Sequence, residues 1–284
     1  MADFHKYHGL GNDYIVIDPK QISFPLKMNT KNIQLLCNRN LGIGSDGILY
    51  GPIIKDNKIH FQIFNPDGSE AEKSGNGIRI FAQYVWDMGY KDAKEITLET
   101  KGGTVTIEHL NKATSLMKVN MGRFSFSSLD IPVKGQQREV VNEEIRILDQ
   151  KFSITCVTIG NPHCVIICDN ISPKFTKTYG PAIENYESFP NRSNVQFVKI
   201  LDRHNIQIEI WERGAGYTLA SGSSSVAAAC AAHKKDLTDK DITVHMPGGQ
   251  AKINIDGDNA FLTATVSRIM FGEIMADLKK QLEK

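Results

Sequence analysis

Strict alternation of apolar and polar side chains marks the first clear elements. In "KIHFQIFN" (58–65) and "NIQIEIWE" (205–212) apolar residues recur at every second position, the period of a strand with one buried face. "EITLETKGGTVTIE" (95–108) and "DITVHMPGGQAKIN" (241–254) each predict a strand, a Gly-Gly turn and a second strand. "GLGNDYIVID" (9–18) and "TIGNPHCVIICD" (158–169) each place Gly-Asn before a β-rich run that ends in Asp. Helical segments read at "NTKNIQLLCNR" (29–39), near "GPAIENYE" (180–187), and after "KSGNG" and "ASGSS". "ATVSRIMFGEIM" (264–275) reads as a last strand pair able to return to the first half.

These pieces form one internal repeat. Asn12 and Asn161 are 149 positions apart, Ser74 and Ser221 147, and Gly102 and Gly248 146. Four pieces in one order at nearly one offset predict two homologous halves facing each other across a cleft. The N-terminal half is expected over 1–122 with 270–284, and the C-terminal half over 123–269.

Composition narrows the class. The 284 residues allow two ordinary domains, and 41% hydrophobic with 23% charged residues is a soluble balance. A net charge of +1 offers no pull toward nucleic acid or an anionic membrane. The N-terminus lacks an apolar signal core, and no apolar run approaches the roughly 20 residues of a membrane span. With five cysteines and no CxxC, the thiols read as reduced and cytosolic, without a disulfide framework or metal site. The expected location is the cytoplasm.

The candidate chemistry lies in "EKSGNGIR" (72–79) and "LASGSSSVAAA" (219–229), where a Ser-Gly pair opens a helix twice. A helix start presents free N–H groups and partial positive charge, and so attracts a carboxylate. Serine is also among the best N-cap residues. The matched pair in a duplicated frame favours a shared site over two unrelated caps.

"HGLGNDY", "GIGSDG", "FNPDGSEAEKSGNGIR", "GNPHCV", "RSNVQF", "WERGAG" and "MPGGQ" occur in this order. In this the chain resembles the diaminopimelate epimerase family of cofactor-independent amino-acid epimerases. The resemblance implies an α+β fold of two pseudo-symmetric duplicated domains, each a curved, strand-rich sheet around a central helix. It also implies interconversion of LL- and meso-diaminopimelate, on the route to lysine and peptidoglycan, usually by a homodimer. The expected partner is a small-molecule amino-acid substrate. By position, Asn12, Asn65, Asn161 and Asn194 match the family's polar substrate contacts. Glu212 and Arg213 match its amine- and carboxylate-binding pair. Gly75 with Asn76, and Gly222 with Ser223, match its backbone anion cradles, and His163 matches a histidine near the site. Tyr217 stands where many members have glutamate, and Gly47 where some have glutamine.

The family carries cysteine where this chain has Ser74 and Ser221. A thiol of ordinary pKa about 8.5 ionises readily at a helix start, whereas a serine hydroxyl needs a neighbouring base. Lys73, His163 and Glu212 are the candidates. Three readings stay open at this stage. Assisted serines epimerise an amino acid; or the protein binds without turnover, as an engineered double Cys-to-Ser trap or a natural sensor; or the site runs another isomerisation or elimination.

Overall fold

The computed structural model describes residues 2–283. The chain forms β1 (Phe4–Gly9), β2 (Asn12–Ile17), α1 (Thr30–Cys37), β3 (Ile48–Lys55), β4 (Lys58–Phe64), β5 (Glu70–Ala71), α2 (Gly75–Asp87), β6 (Glu95–Thr100), β7 (Gly103–Asn111) and β8 (Leu116–Arg123). It continues through β9 (Glu143–Ile147), β10 (Gln150–Thr158), β11 (Pro162–Ile167), α3 (Pro173–Glu184), β12 (Asn194–Asp202), β13 (Asn205–Glu212), β14 (Gly216–Thr218), α4 (Gly222–Lys234), β15 (Asp241–Met246), β16 (Gly249–Asp256) and β17 (Asn259–Thr265). It ends with β18 (Ser267–Gly272) and α5 (Ala276–Leu282). Two compact units result, one reaching Val119 and resuming at Thr265, the other spanning Asn120–Ala264.

In the first unit β18, β1, β2, β3, β4, β6, β7 and β8 pair in that order. Two of these pairings, β2 with β3 and β4 with β6, are parallel, and the others are antiparallel. The second unit repeats the scheme with β9, β10, β11, β12, β13, β15, β16 and β17. Here β11 with β12 and β13 with β15 are the parallel pairs. Parallel neighbours need a crossover, which α1, α2, α3 and α4 supply in turn. The last strand, β18, returns to the first unit and pairs with β1, in the place that β9 takes beside β10.

Each sheet curls around one helix. Gly75–Val85 of α2 are buried throughout, and α2 touches β1, β2, β3, β6 and β7. In the second unit α4 meets β10 to β13, β15 and β16. A helix buried on all sides has no use for a polar stripe. The fillings differ. α2 contributes Ile78, Phe81, Tyr84 and Val85, with Phe81 stacked on Phe61 at 4.1 Å between centroids. α4 contributes Ala227, Ala228, Ala229, Ala231 and Ala232, small enough for strands to approach closely.

The outer faces are covered too. Ile33 and Leu36 of α1 pack with Ile15, Ile17 and Ile48, and Tyr179 and Ile183 of α3 pack with Phe152 and Phe197. Strand β2 is therefore buried over five consecutive residues, and β11 likewise. Among the described residues, no helix is long and apolar enough to cross a membrane.

The α3 seat depends on close approach. A Cβ on Gly180 would stand 2.7 Å from Cγ of Trp211, whose indole N–H donates to Glu184 Oε2 at 2.7 Å. Gly180→Ala gains about 1 kcal/mol of helix propensity but overpacks this seat at a cost of about 1–3 kcal/mol. The expected result in denaturant unfolding is net destabilisation. A stabilised variant would show that α3 yields freely.

Candidate active site

In the first unit the site residues gather at the start of α2. Ser74 is its N-cap, with Oγ accepting from the Gly77 N–H at 3.0 Å. The same oxygen lies 3.1 Å from the Tyr14 hydroxyl. Tyr14 sits two residues after Asn12, so both project from the same face of β2. Gly47 makes room for the ring: a Cβ there would stand 2.6 Å from Tyr14 Cε1. The departure from glutamine at this position thus has a steric partner in Tyr14.

Asn12 and Asn76 are joined directly, Asn76 Nδ2 donating to Asn12 Oδ1 at 3.0 Å. Asn12 Nδ2 donates to Asp46 Oδ2 at 3.0 Å, and Arg39 donates to both Asp46 and Asp13. Burial opposes ionisation of Asp13, but hydrogen bonds from Arg39 and Lys6 hold its carboxyl below the usual range. Asn65 lies apart from this network. It closes the turn after β4, with Nδ2 donating to Ser69 Oγ at 3.0 Å.

The second unit repeats the cap and changes its partner. Ser221 N-caps α4, with Oγ accepting from the Ser224 N–H at 3.4 Å. Its hydroxyl donates to Glu212 Oε2 at 2.9 Å, and Ser223 Oγ is 3.5 Å away. Of the residues proposed to assist a serine, Glu212 thus reaches one. Asn194 knits the surrounding strands, donating to the Pro162 carbonyl at 2.8 Å and accepting from the Arg213 N–H at 3.0 Å. The Arg213 side chain donates to the Asn191 carbonyl at 3.0 Å, and among the described residues no carboxylate pairs with it. His163 is fully buried, with Nε2 3.0 Å from Asn161 Oδ1.

Tyr217 points elsewhere. Its hydroxyl donates to Glu209 Oε2 at 2.7 Å, and Lys177 of α3 lies 4.9 Å from its ring centroid. Glu209 and Trp211 share the face of β13 that α3 covers, whereas Glu212 reaches the α4 start from the other face. Burial, then Glu209, raises the Tyr217 pKa.

Four of the five free cysteines are buried, and Cys168 is partly buried. Burial raises the pKa of Cys37, Cys164, Cys168 and Cys230, Cys168 to about 11. Among the described residues, no three His, Cys, Asp or Glu side chains are grouped to hold a metal.

Two residues of the first half-site were not singled out from sequence. Tyr14 was visible inside "HGLGNDY" at the i+2 spacing from Asn12. Arg79 was visible one helical turn after Asn76, a spacing that brings side chains together.

The duplicated fold is shared with solved epimerases. The hydroxyproline epimerase of Agrobacterium vitis superposes with a TM-score of 0.67 at 12% identity, covering 94% of this chain and 90% of that one. Residues 4–127 and 155–273 match the diaminopimelate epimerase family profile. Diaminopimelate epimerase 2 of a Nostoc species is 52% identical over 277 residues, 97% of this chain and 96% of that protein. The diaminopimelate epimerase of Methanothermobacter thermautotrophicus is 37% identical over 268 residues, 93% and 94% of the two chains. The chain belongs to the diaminopimelate epimerase family.

His163 yields a pH test. Burial pushes its pKa to about 3, and the charge of Arg213 adds to that. The unfolded histidine titrates near 6.5, so the unfolded chain takes up the proton first. Its contribution is fully present above about pH 6.5 and is lost as pH falls toward 3. By pH 4.5 the loss is on the order of 2 kcal/mol. Denaturant unfolding at pH 7 and 4.5 is expected to show a smaller decline for His163→Asn than for the unmodified protein. Equal declines would remove His163 as a source.

Proposed function

We propose that the protein is an isomerase that interconverts LL- and meso-diaminopimelate, with Ser74 and Ser221 as the proton-transfer groups and no cofactor. Family membership supports the substrate. The observation that carries the serine chemistry is the 2.9 Å hydrogen bond from the Ser221 hydroxyl to Glu212. An alcohol is too weak an acid to act alone, and a carboxylate that accepts its proton makes it a usable base.

Ser221 Oγ takes the α-proton while its own proton passes to Glu212, and the C–H electron pair stays on the α-carbon. The Ser74 hydroxyl is the group that then delivers a proton. Ser74 is reprotonated through the Tyr14 hydroxyl, and solvent returns both groups to their starting states. The N–H groups and dipoles at the α2 and α4 starts, with Gly75, Asn76, Gly222 and Ser223, favour the reacting carboxylate and the charge that develops beside it. Arg213 takes the carboxylate of the end that does not react. Asn12, Asn65, Asn161 and Asn194 place the remaining polar groups. We further assign the protein to the cytoplasm as a homodimer. Exposed Ile269, Met270, Phe271 and Met275 support a covered surface, and a monomer in sedimentation would contradict it.

The reading is tested by α-proton exchange of diaminopimelate in D₂O, followed by proton NMR. Acid–base groups contribute about 10²–10⁴-fold each, so a Ser74→Cys, Ser221→Cys double variant is expected to exchange at least about 100-fold faster than the unmodified protein. Glu212→Gln is expected to slow the unmodified protein by a similar factor. No exchange by either protein would sink the substrate assignment. Equal rates in the unmodified and double-cysteine proteins would sink the account of the serines.

A further inference from the structure

Arg79 carries two costs that no carboxylate among the described residues offsets. It is 0% exposed, and among the described residues no carboxylate pairs with it. A buried guanidinium without a counter-charge is unfavourable. It also sits at the positive end of α2, where an anion and not a cation is favoured. Its N–H groups reach the Gly75 carbonyl at 3.0 Å and Asn76 Oδ1 at 2.7 Å, and Nε has no hydrogen-bond partner. Burial lowers its pKa to about 10, so it stays charged at neutral pH.

The hydrogen bonds from Arg79 have a direction. A guanidinium only donates, so the oxygen of Asn76 must face it. The Asn76 amide nitrogen then faces Asn12 Oδ1, and the Asn12 amide nitrogen faces Asp46. Flipping either amide would set donor against donor. Both asparagine oxygens are therefore engaged inside the protein, one by Arg79 and one by Asn76.

We infer that Arg79 is a positioning residue for the carboxylate at the α2 start: its guanidinium fixes the orientation of Asn76 and Asn12 and supplies the buried positive charge that a carboxylate neutralises. This rests on the functional reading above. An anion arriving at the α2 start relieves both costs at once. A neutral group of the same shape relieves neither, so the residue makes this half-site select for charge.

The test is equilibrium binding by calorimetry with the full chain, using diaminopimelate and its diamide, which keeps the amines but carries no carboxylate. The unmodified protein is expected to prefer the diacid. Arg79→Met is expected to weaken diacid binding by roughly tenfold or more, the scale of a charge-assisted hydrogen bond, and to erase most of the preference. Its melting temperature is expected to fall modestly, because Met leaves the Gly75 carbonyl and Asn76 Oδ1 without their donor, so binding is compared in protein shown to be folded. Arg79→Lys, which keeps the charge, is expected to restore the preference. Should Arg79→Met not fold, Arg79→Gln supplies a donor without the charge and carries the same comparison.

A folded, neutral variant that still prefers the diacid would overturn the inference. So would equal losses for diacid and diamide, which is what a merely structural arginine gives. If the unmodified protein ignores diaminopimelate altogether, the functional reading fails first and this inference falls with it.

Discussion

The start of a buried helix is the constraint on which the site depends. Each sheet wraps a helix that is buried from its first residue, and the leading N–H groups must still find acceptors. Ser74 and Ser221 meet that demand through Oγ. Their backbones are nearly identical, with φ −142° and ψ 118° at Ser74 and φ −144° and ψ 126° at Ser221. An oxygen that accepts from the backbone leaves its own proton to be directed elsewhere. For Ser221 that direction is Glu212, and beside Ser74 stands Tyr14. The cap thus places each serine oxygen at the helix start and beside a second polar group.

The two halves share a frame and differ in electrostatics. Ser221 has a carboxylate as its partner, whereas Ser74 has a phenol. An ionised carboxylate can only accept a hydrogen bond, so it draws the serine proton toward itself, whereas a phenol can either accept or donate. The two capping serines of the repeat thus have unlike partners, a carboxylate in one unit and a phenol in the other.

Much of the architecture was legible because edge and hairpin strands keep a two-residue period. The runs at 58–65 and 205–212 became β4 and β13, and the Gly-Gly stretches became β6–β7 and β15–β16. β2 and β11 show no alternation because helices cover both of their faces. They were recognised from their repeated Gly-Asn start. The caps were legible from Ser-Gly alone. The partner of Ser74 was not, because a contact across roughly 60 residues of chain leaves no spacing signal, and Glu212 was one of three candidates until the structure joined it to Ser221. Tyr217 shows the same gap: one residue in a short strand selects the α3 face and Glu209, and no pattern in "GYT" says so.

The account turns on unequal assistance to the two serines, and single restorations measure it. The α-proton exchange rate of diaminopimelate is compared in Ser74→Cys and Ser221→Cys separately. A thiol should help more where the alcohol has no carboxylate, so Ser74→Cys is expected to give the larger acceleration. A larger gain from Ser221→Cys, or equal gains, would contradict the assignment of Glu212 as the base behind Ser221.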